Sequence, residues 1–200
     1  MSKEQIVEVA LQEFLKNGIQ SFTIKQLTDI TKVSTKTVYK LFADKRALLR
    51  DCLNKHYHDL FIELSVLNTG SENEIDAFLK IIHRTVELEF EVNPLFYSEL
   101  NKYYPGLQSE VSNAQGELLG FLTNIIEQGK KSGVFLPEIN REVFWITFQQ
   151  LYMGITRKQL YRNLNLSGPE LVRNTVMIYL RGICTLNGLQ KSQLSNLSNL

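Results

Sequence analysis

The sequence predicts an all-α protein of nine helices, and three observations lead to that prediction. Apolar residues recur at the three- and four-residue spacing of helices along most of the 200 residues. No alternating apolar and polar segment, the pattern of a half-buried strand, runs for more than a few residues. All four prolines, at positions 94, 105, 137 and 169, stand where the helical pattern breaks.

The predicted helices fall into a short N-terminal set and a longer C-terminal set. The first helix runs from about Lys3 to Asn17, where Gly18 supplies a C-cap. Thr23 caps the second helix, to about Ile30, and Ser34 or Thr35 caps the third, to about Phe42. The other six are expected from Asp44 into the sixties and over 74–92, 94–103, 107–131, 140–163 and 169–187. We expect one domain over 1–46, a second over 47–188, and a frayed polar tail over 189–200.

Charge is distributed unevenly between these two parts. The formal net charge is only +1, but residues 1–50 carry nine Lys and Arg against five Asp and Glu. A basic N-terminal part on a mildly acidic body favours a polyanionic partner at one end only. Two distant cysteines without metal-ligand spacing, no signal peptide and no apolar stretch of about 20 residues predict a soluble, cytoplasmic protein.

The second and third helices together have the pattern of a helix-turn-helix, in which one helix presents another to the DNA major groove. Apolar positions that can close a small core with the first helix are Ile24, Leu27, Ile30, Val33, Val38 and Phe42. The third helix turns hydroxyls and amines outward, and these groups suit base edges and phosphate oxygens. They belong to Thr35, Lys36, Thr37, Tyr39 and Lys40. The alternative is that Tyr39 is a core aromatic and the lysines a solvated face.

The order and spacing of these residues resemble the tetracycline-repressor (TetR) family over roughly the first 50 positions. The matching residues are Ile6, Ala10, Phe14, Gly18, Thr23, Ile24, Leu27, Val33, Ser34, Thr37, Tyr39, Phe42, Lys45 and Leu48. The chain departs from the family at Thr31-Lys32, where Ala-Gly is common, and at Lys36 and Leu41, where Gly and His are common. Lys32 must therefore take a turn position that suits glycine, or the turn shifts.

The resemblance implies roles for individual residues in binding double-stranded DNA. Tyr39 and Thr37 would contact phosphates beside the groove, and Thr23 would hold another phosphate at a helix N-terminus. Lys45 would clamp a phosphate across the groove. The readers of base edges would be Thr35, Lys36 and Lys40.

The last two predicted helices carry apolar stripes that suit a partner helix, either in the same chain or in a second copy. Intrachain packing is the alternative; the resemblance favours a homodimer on a palindromic operator, because that family dimerises through its last two helices. The expected interface consists of Phe144, Leu151, Ile155, Val172, Val176, Tyr179 and Ile183.

Aromatic residues are concentrated between these two surfaces, with twelve of the twenty in residues 75–155. An ordinary core is one interpretation. The resemblance implies another, a cavity for a small apolar or aromatic effector that re-angles the two DNA-binding heads. Its expected lining is Phe78, Phe96, Tyr97, Tyr103, Tyr104, Phe121, Trp145, Phe148 and Tyr152.

Two other functions compete with a repressor released by an effector. One is a DNA-binding regulator that is constitutive or controlled by a protein partner, and the other is a helical metal-dependent enzyme. For the enzyme, His56, His58 and Asp59 cluster, and His83, Glu87 and Glu91 recur every four residues. The chain lacks a His-Glu-x-x-His motif, a glycine-rich phosphate loop and a Gly-x-Ser-x-Gly elbow. We therefore expect neither catalysis nor a cofactor.

Overall fold

In the computed structural model, residues 1–107, 112–156 and 160–192 are described, with backbone alone for 112–119, 162 and 169. The all-α prediction is confirmed, and the one β-bridge among these residues is isolated, between Phe135 and Cys184. The helices are α1 (Lys3–Asn17), α2 (Ile24–Thr31), α3 (Thr35–Leu41), α4 (Lys45–Thr69), α5 (Glu74–Glu91), α6 (Pro94–Tyr103), α7 (Ser112–Lys131), α8 (Arg141–Thr156), α9 (Gly168–Asn174), α10 (Val176–Ile183) and α11 (Leu186–Lys191), with a 3₁₀ turn at Arg162–Leu164.

The chain forms two compact units that are not consecutive in sequence. Unit 1 consists of Met1–Glu63 and Glu91–Leu118, and unit 2 of Leu64–Phe90 and the chain from Leu119 onward. Helix α4 supplies residues to both units. Unit 1 therefore joins α1–α3 to α6, which the sequence predictions had assigned to a separate second part.

Helix ends in the N-terminal part are fixed by side chains next to them. Ser2 and Thr23 each accept a hydrogen bond from the backbone N–H three residues on. Their own backbone N–H groups donate to the side-chain oxygens of Gln5 and Gln26, which completes two capping boxes. Gly18, at φ 84°, ends α1 with its N–H donated to the Phe14 carbonyl at 3.0 Å. These caps explain why α1–α3 begin and end close to the predicted residues.

The turn after α2 places Lys32 in the left-handed region, at φ 58° and ψ 18°. A side chain in this conformation costs about 1 kcal/mol relative to glycine. Glycine is the residue that the resemblance to the TetR family leads one to expect at this position. Lys32 therefore adopts the glycine-like turn position, and the turn itself is kept.

The core of unit 1 contains eighteen buried residues, drawn from α1–α4, α6 and the loops between them. Phe14, which is fully buried, meets Phe22 edge to face with ring centroids 5.5 Å apart. Leu27 is the one buried residue of α2 and Val38 that of α3. Each short helix thus enters this core through a single buried residue and its partly buried neighbours, and its outer face remains open.

The core of unit 2 is built on aromatic contacts between α5 and α8. The Phe78 ring lies 6.0 Å from that of Phe144 and 5.3 Å from that of Phe148, centroid to centroid. The Tyr152 hydroxyl donates to the Thr85 carbonyl at 3.3 Å. Behind α7, the Phe135 ring occupies the space that a side chain at Gly129 would need, since a Cβ there would lie 2.2 Å from Phe135 Cδ2.

The C-terminal helices differ from the prediction of one helix over 169–187. At Thr175, φ is −127° and ψ −80°, and the hydroxyl bonds back to the Leu171 carbonyl at 2.6 Å, which separates α9 from α10. A second break comes at Cys184, whose neighbours pair with the 134–136 segment: the Leu136 N–H donates to the Ile183 carbonyl. Thr185 then caps α11.

The other differences concern the ends of elements. α8 ends at Thr156 among the described residues, short of the predicted 163, and residues 157–159 of that prediction lie outside the description. Residues 108–111 of the predicted 107–131 helix and residues 193–200 of the predicted frayed tail lie outside it as well. The first part of that tail belongs to α11, and Ser192 is buried.

Candidate nucleic-acid interface

Helices α2 and α3 form a compact pair joined by the Lys32–Ser34 turn. Val38 is 1% exposed and fixes α3 from its inner side, and Phe42, just after α3, is 2% exposed. Ile30, expected in this core, is instead 50% exposed, since α2 buries Leu27 alone. The inner face is narrower than the sequence pattern indicated.

The outer side of α3 exposes the whole set of polar residues expected there: Thr35, Lys36, Thr37, Tyr39 and Lys40. Tyr39 is 54% exposed, which does not fit a core aromatic. Among the described residues, neither Lys36 nor Lys40 has an ion pair or a hydrogen bond. Their ammonium groups are therefore available to an anion.

Two hydroxyls expected to bind phosphate also serve as local caps or cap partners. Thr23 Oγ1 accepts from the Gln26 N–H at 3.2 Å and donates to Gln26 Oε1 at 2.8 Å. Thr37 Oγ1 lies 2.8 Å from Ser34 Oγ, which caps α3 by accepting from the Thr37 N–H at 3.1 Å. Both hydroxyls are thus held in fixed positions at the N-terminal ends of α2 and α3.

Sequence reasoning had left two cations out of this surface. Lys25 on α2 and Lys32 in the turn are exposed, on the same two-helix element as Lys36 and Lys40. Asp29 is the one acidic residue between Thr23 and Phe42. The excess of Lys in this segment was visible in the sequence and could have identified both residues.

Lys45, which was expected to clamp a phosphate, makes two hydrogen bonds within its own chain. Its ammonium group donates to the carbonyls of Ile19 and Phe22, at 2.5 and 2.6 Å. Partial burial lowers the pKa of Lys45, and the negative charge of Glu99 offsets part of that effect. Two of its three donors are thus used within the chain and hold the loop before Thr23, and the role of Lys45 as a phosphate clamp stays a prediction.

Glu99 on α6 holds the same loop from another element. Its Oε2 accepts from the N–H groups of Ile19 and Gln20, at 2.6 and 2.8 Å. Asn93, the N-cap of α6, donates its backbone N–H to the Leu15 carbonyl at 2.8 Å and its side chain to the Lys16 carbonyl at 3.1 Å. The end of α1 and the approach to Thr23 are therefore fixed by α6 and by Lys45.

The arrangement is that of a DNA-binding helix-turn-helix domain: two short helices on a small core, with an exposed cationic and hydroxyl-rich face. Residues 6–52 match the family model for bacterial regulatory proteins of the tetR family. The N-terminal domain belongs to the TetR family, as the sequence resemblance indicated.

Solved structures extend the likeness to most of the chain. The reduced form of NemR from E. coli is 17% identical with a TM-score of 0.74, and the match covers 92% of this chain and 97% of that one. A transcriptional regulator from Saccharomonospora viridis in complex with choline is 16% identical with a TM-score of 0.70, and the match covers 92% of this chain and 97% of that one. A tetR-family regulator from Shewanella sp. PV-4 is 19% identical with a TM-score of 0.64, and the match covers 92% of this chain and 100% of that one. No curated protein matches the chain. The overall fold is that of TetR-family transcriptional regulators.

The residues expected to line an effector cavity are divided between the two units. Phe96, Tyr97, Tyr103 and Tyr104 belong to unit 1, whereas Phe78, Phe121, Trp145, Phe148 and Tyr152 belong to unit 2. In unit 2, the Trp145 ring lies 5.7 Å from that of Phe148. The buried Nε1 of Trp145 has no hydrogen-bond partner among the described residues. In unit 1, Phe96 is buried and Tyr103 is 49% exposed.

Most residues of the expected dimer interface are buried within their own chain. Phe144, Ile155, Val172, Val176 and Ile183 are each at most 8% exposed, while Leu151 and Tyr179 are partly exposed. The neighbouring faces of the same helices are open: Val143 and Ile146 on α8 are 60% and 63% exposed, and Ile178 on α10 is 63% exposed. The stripe that sequence reasoning selected is therefore the inner one.

The clusters considered for an enzyme bring no metal site together in the described part of the chain, where no group of three His, Cys, Asp or Glu residues could hold an ion. His83 Nε2 lies 3.2 Å from Glu87 Oε1, as a helix surface pair. Among the described residues, no helix has the length and apolar character to span a membrane.

Proposed function

We propose that this chain is a cytoplasmic, homodimeric repressor that binds a palindromic operator and is released from it by a small apolar or aromatic effector. The observation that carries the DNA-binding part is the exposed face of α3, on which Lys36 and Lys40 are exposed and have no partner among the residues that the structure describes. A major groove about 12 Å wide admits a helix with such a face.

Each residue of the face has a proposed role. Thr35, Lys36 and Lys40 read base edges, and the amines favour guanine O6 and N7. Phosphates on either side of the groove are bound by Thr23, Thr37 and Tyr39, with Lys25 and Lys32 adding sequence-independent attraction. Lys45 and Glu99 hold the loop that leads to Thr23, so they act on DNA affinity through position.

The dimer face is proposed on the exposed residues of α8 and α10. Val143 and Ile146, three positions apart, lie on one side of α8, and Ile178 is exposed on α10. Leu151 and Tyr179 are the two expected interface residues that keep exposed area and can extend this face. Two copies on one operator place their α3 helices in successive major grooves, about 34–36 Å apart or a multiple of that distance.

Release from the operator is proposed to follow from linkage. The effector binds more tightly to a dimer whose DNA-binding heads do not fit the operator. It therefore weakens DNA binding, and bound DNA weakens effector binding by the same factor. The proposed contacts are the aromatic residues of unit 2 around Phe148 and Tyr152. Within unit 1, the bonds from Asn93 and Glu99 couple any displacement of α6 to the end of α1.

The experiment that tests the proposal is a selection of bound duplexes from random-sequence DNA, carried out with the full chain at several salt concentrations. We expect an enriched palindrome and an affinity that falls steeply with salt, because phosphate contacts release counterions. A bound pool without any enriched motif at every salt concentration contradicts the proposal. The recovered operator then serves to screen apolar and aromatic compounds for release.

Two variants on the selected operator separate base reading from phosphate attraction. Lys36→Ala is expected to lose about 1–3 kcal/mol on the operator and much less on random DNA. For comparison, Lys25→Ala should weaken both DNAs alike and reduce the salt slope by about one unit per subunit. Equal losses on both DNAs for Lys36→Ala contradict its base-reading role.

A further inference from the structure

Unit 2 contains an open groove between the start of α5, helices α9 and α10, and the end of α11. Its volume is about 430 Å³, within the range of about 300–1,000 Å³ that small-molecule sites occupy. Every described residue that lines it belongs to unit 2. The aromatic residues proposed above as effector contacts do not line it, so the groove is a separate place for a ligand.

The floor of the groove is apolar. Leu79 and Ile82 come from α5, Val172 from α9 and Met177 from α10. Ile82, Val172 and Met177 are buried, and Leu79 is partly exposed. A ligand that covers these side chains gains free energy by removing apolar surface from water, so the part of it that lies on the floor has to be apolar.

The charged groups on the α5 side of the rim already have partners. Asp76 Oδ2 lies 2.7 Å from Lys80 Nζ, one helical turn further on, and it also accepts the Glu72 N–H at 3.0 Å. On the next turn, His83 Nε2 lies 3.2 Å from Glu87 Oε1. A charged ligand would therefore have to compete with a group of opposite charge in the same chain.

Other polar groups of the rim are engaged as well. Asn73 Oδ1 accepts two backbone N–H groups at the start of α5, both at 3.0 Å. The hydroxyl of the buried Ser192 donates to the Leu189 carbonyl at 3.2 Å, and Arg173 has an interaction within the chain. These groups do not need a ligand to satisfy them.

Two rim side chains remain, one of each sign. Within the described part of the chain, the carboxylate of Glu72 and the ammonium group of Lys191 form no ion pair, and both residues are exposed. Ion pairs between exposed groups are weak, so neither charge strongly favours an ionised ligand. An ionised group drawn toward the apolar floor would lose its hydration without gaining a partner, which is costly.

We propose that this groove binds a small uncharged molecule with an apolar body, of the size of a medium-chain alcohol, and discriminates against anions and cations with the same body. The Leu79–Met177 floor supplies the affinity, and the paired rim supplies the discrimination. This inference goes beyond the proposed function, because the site lies apart from the aromatic residues and does not require DNA binding.

The test is isothermal titration of the full chain with three probes that share one apolar body: octanol, octanoate and octyltrimethylammonium. Octanol is expected to bind at least about tenfold more tightly than either ion, because an ion keeps its head group in water and leaves part of its chain off the floor. This comparison uses the parent chain and does not depend on the folding of any variant. Octanoate or octyltrimethylammonium binding as tightly as octanol, or no binding of octanol, overturns the proposal.

A matched pair of variants assigns the binding to the groove. Leu79→Trp fills the groove and should lower octanol affinity at least about tenfold. Val66→Trp places the same side chain on an exposed residue of unit 2 outside the groove and should leave octanol affinity unchanged. Thermal unfolding followed by circular dichroism checks both folds, and Leu79→Asn, smaller and polar, replaces Leu79→Trp if that variant does not fold. An unchanged affinity at position 79, or an equal loss in Val66→Trp, overturns the proposal.

The variant Asp76→Asn tests the role of the paired rim. Its side-chain oxygen can still accept the Glu72 N–H, but the negative charge beside Lys80 is removed. Octanoate affinity should rise at least about fivefold, while octanol affinity stays within about twofold of the parent value. Glu72→Gln removes a neighbouring carboxylate that lacks an ion pair among the described residues and should change octanoate affinity by less than about twofold. Unchanged octanoate affinity in Asp76→Asn overturns the proposed discrimination by the rim.

DNA binding is measured on the same preparations, which keeps the two proposals apart. A chain that prefers octanol and selects no DNA motif contradicts the proposed function and supports the groove. A chain that selects an operator and fails to bind octanol contradicts the groove alone.

Discussion

The exposed faces of unit 1 and unit 2 carry opposite kinds of side chain. On α3 the solvent-facing residues are Lys, Thr and Tyr, while on α8 and α10 they include Val143, Ile146 and Ile178, each at least 60% exposed. Both faces lie on helices that bury an apolar inner side. The difference teaches that one architecture can present two surfaces of different chemistry: the face of α3 suits a hydrated polyanion, and the face of α8 and α10 suits an apolar surface.

The largest effect is expected from charges on the apolar face. In the variant Ile146→Asp/Ile178→Asp, each carboxylate would be buried without a partner in the dimer, at a cost of several kcal/mol per charge. We expect the dimer dissociation constant to rise by more than about a hundredfold. Sedimentation equilibrium measures this, and the monomer should keep its helical circular dichroism.

Two comparisons show whether the exposed face, and not the buried stripe, forms the dimer. Val66→Asp places the same charge on an exposed apolar residue of α4, 66% exposed, and should leave the dimer intact. Ile183→Asp places it at a residue 8% exposed within the chain and should lower the unfolding midpoint instead. A dimer that survives Ile146→Asp/Ile178→Asp would mean that the exposed apolar face of α8 and α10 does not form the dimer interface.

An intermediate effect is expected where unit 1 holds its DNA-binding element in place. Glu99→Ala leaves the N–H groups of Ile19 and Gln20 without their acceptor, and Ile19 is fully buried. The expected loss is about 1–3 kcal/mol in the free energy of unfolding, together with weaker operator binding. Urea unfolding and operator titration measure the two quantities.

The neighbouring residue Ser98 offers a matched control on the same helix. Within the described part of the chain its hydroxyl bonds only to the Leu95 carbonyl in α6, so Ser98→Ala should change neither quantity by more than about 0.5 kcal/mol. Glu99→Gln keeps one acceptor oxygen and should fall between the two. Operator affinity that is unchanged in Glu99→Ala would mean that the loop does not position α2.

The N-terminal helices were predictable because their signals are local. Ser2, Thr23 and Ser34 cap their helices through hydrogen bonds that span only three residues of the chain, and Gly18 directly follows the helix that it ends. The roles of Lys45 and Glu99 were not predictable in this way. Their hydrogen bonds span 26 and 80 positions, and no pattern within a short window marks such a contact.

The C-terminal part shows the limit of periodicity. The apolar pattern continues through Thr175 and Cys184, so it indicated one helix, whereas a back-bonding hydroxyl and a tertiary pairing with 134–136 divide it. The pattern also indicated which helices have apolar faces, but it did not indicate what each face packs against. It did not separate Phe144 and Ile183, which are buried within the chain, from Ile146 and Ile178, which are exposed, because both sets recur at helical spacing.

The smallest effect that we expect concerns one buried cysteine in the interior of each unit. Cys52 in unit 1 is fully buried, and Cys184 in unit 2 is 7% exposed. Burial raises the pKa of Cys52, helped by the charges of Asp51 and Glu8, and burial raises the pKa of Cys184 to about 12. In the unfolded chain both thiols return to a pKa near 9.

The sign of the pH dependence follows from these shifts. Above about pH 9 the unfolded chain releases thiol protons that the native chain retains, so the free energy of unfolding falls as the pH rises. Between pH 8 and pH 10 we expect a fall of about 1 kcal/mol per cysteine, measured by urea unfolding as the difference between the parent chain and each of Cys52→Ala and Cys184→Ala. Other titrating groups cancel in that difference. Equal contributions would mean that both interiors exclude the thiolate alike; a contribution from Cys52 alone would mean that the short C-terminal helices of unit 2 open to solvent at alkaline pH.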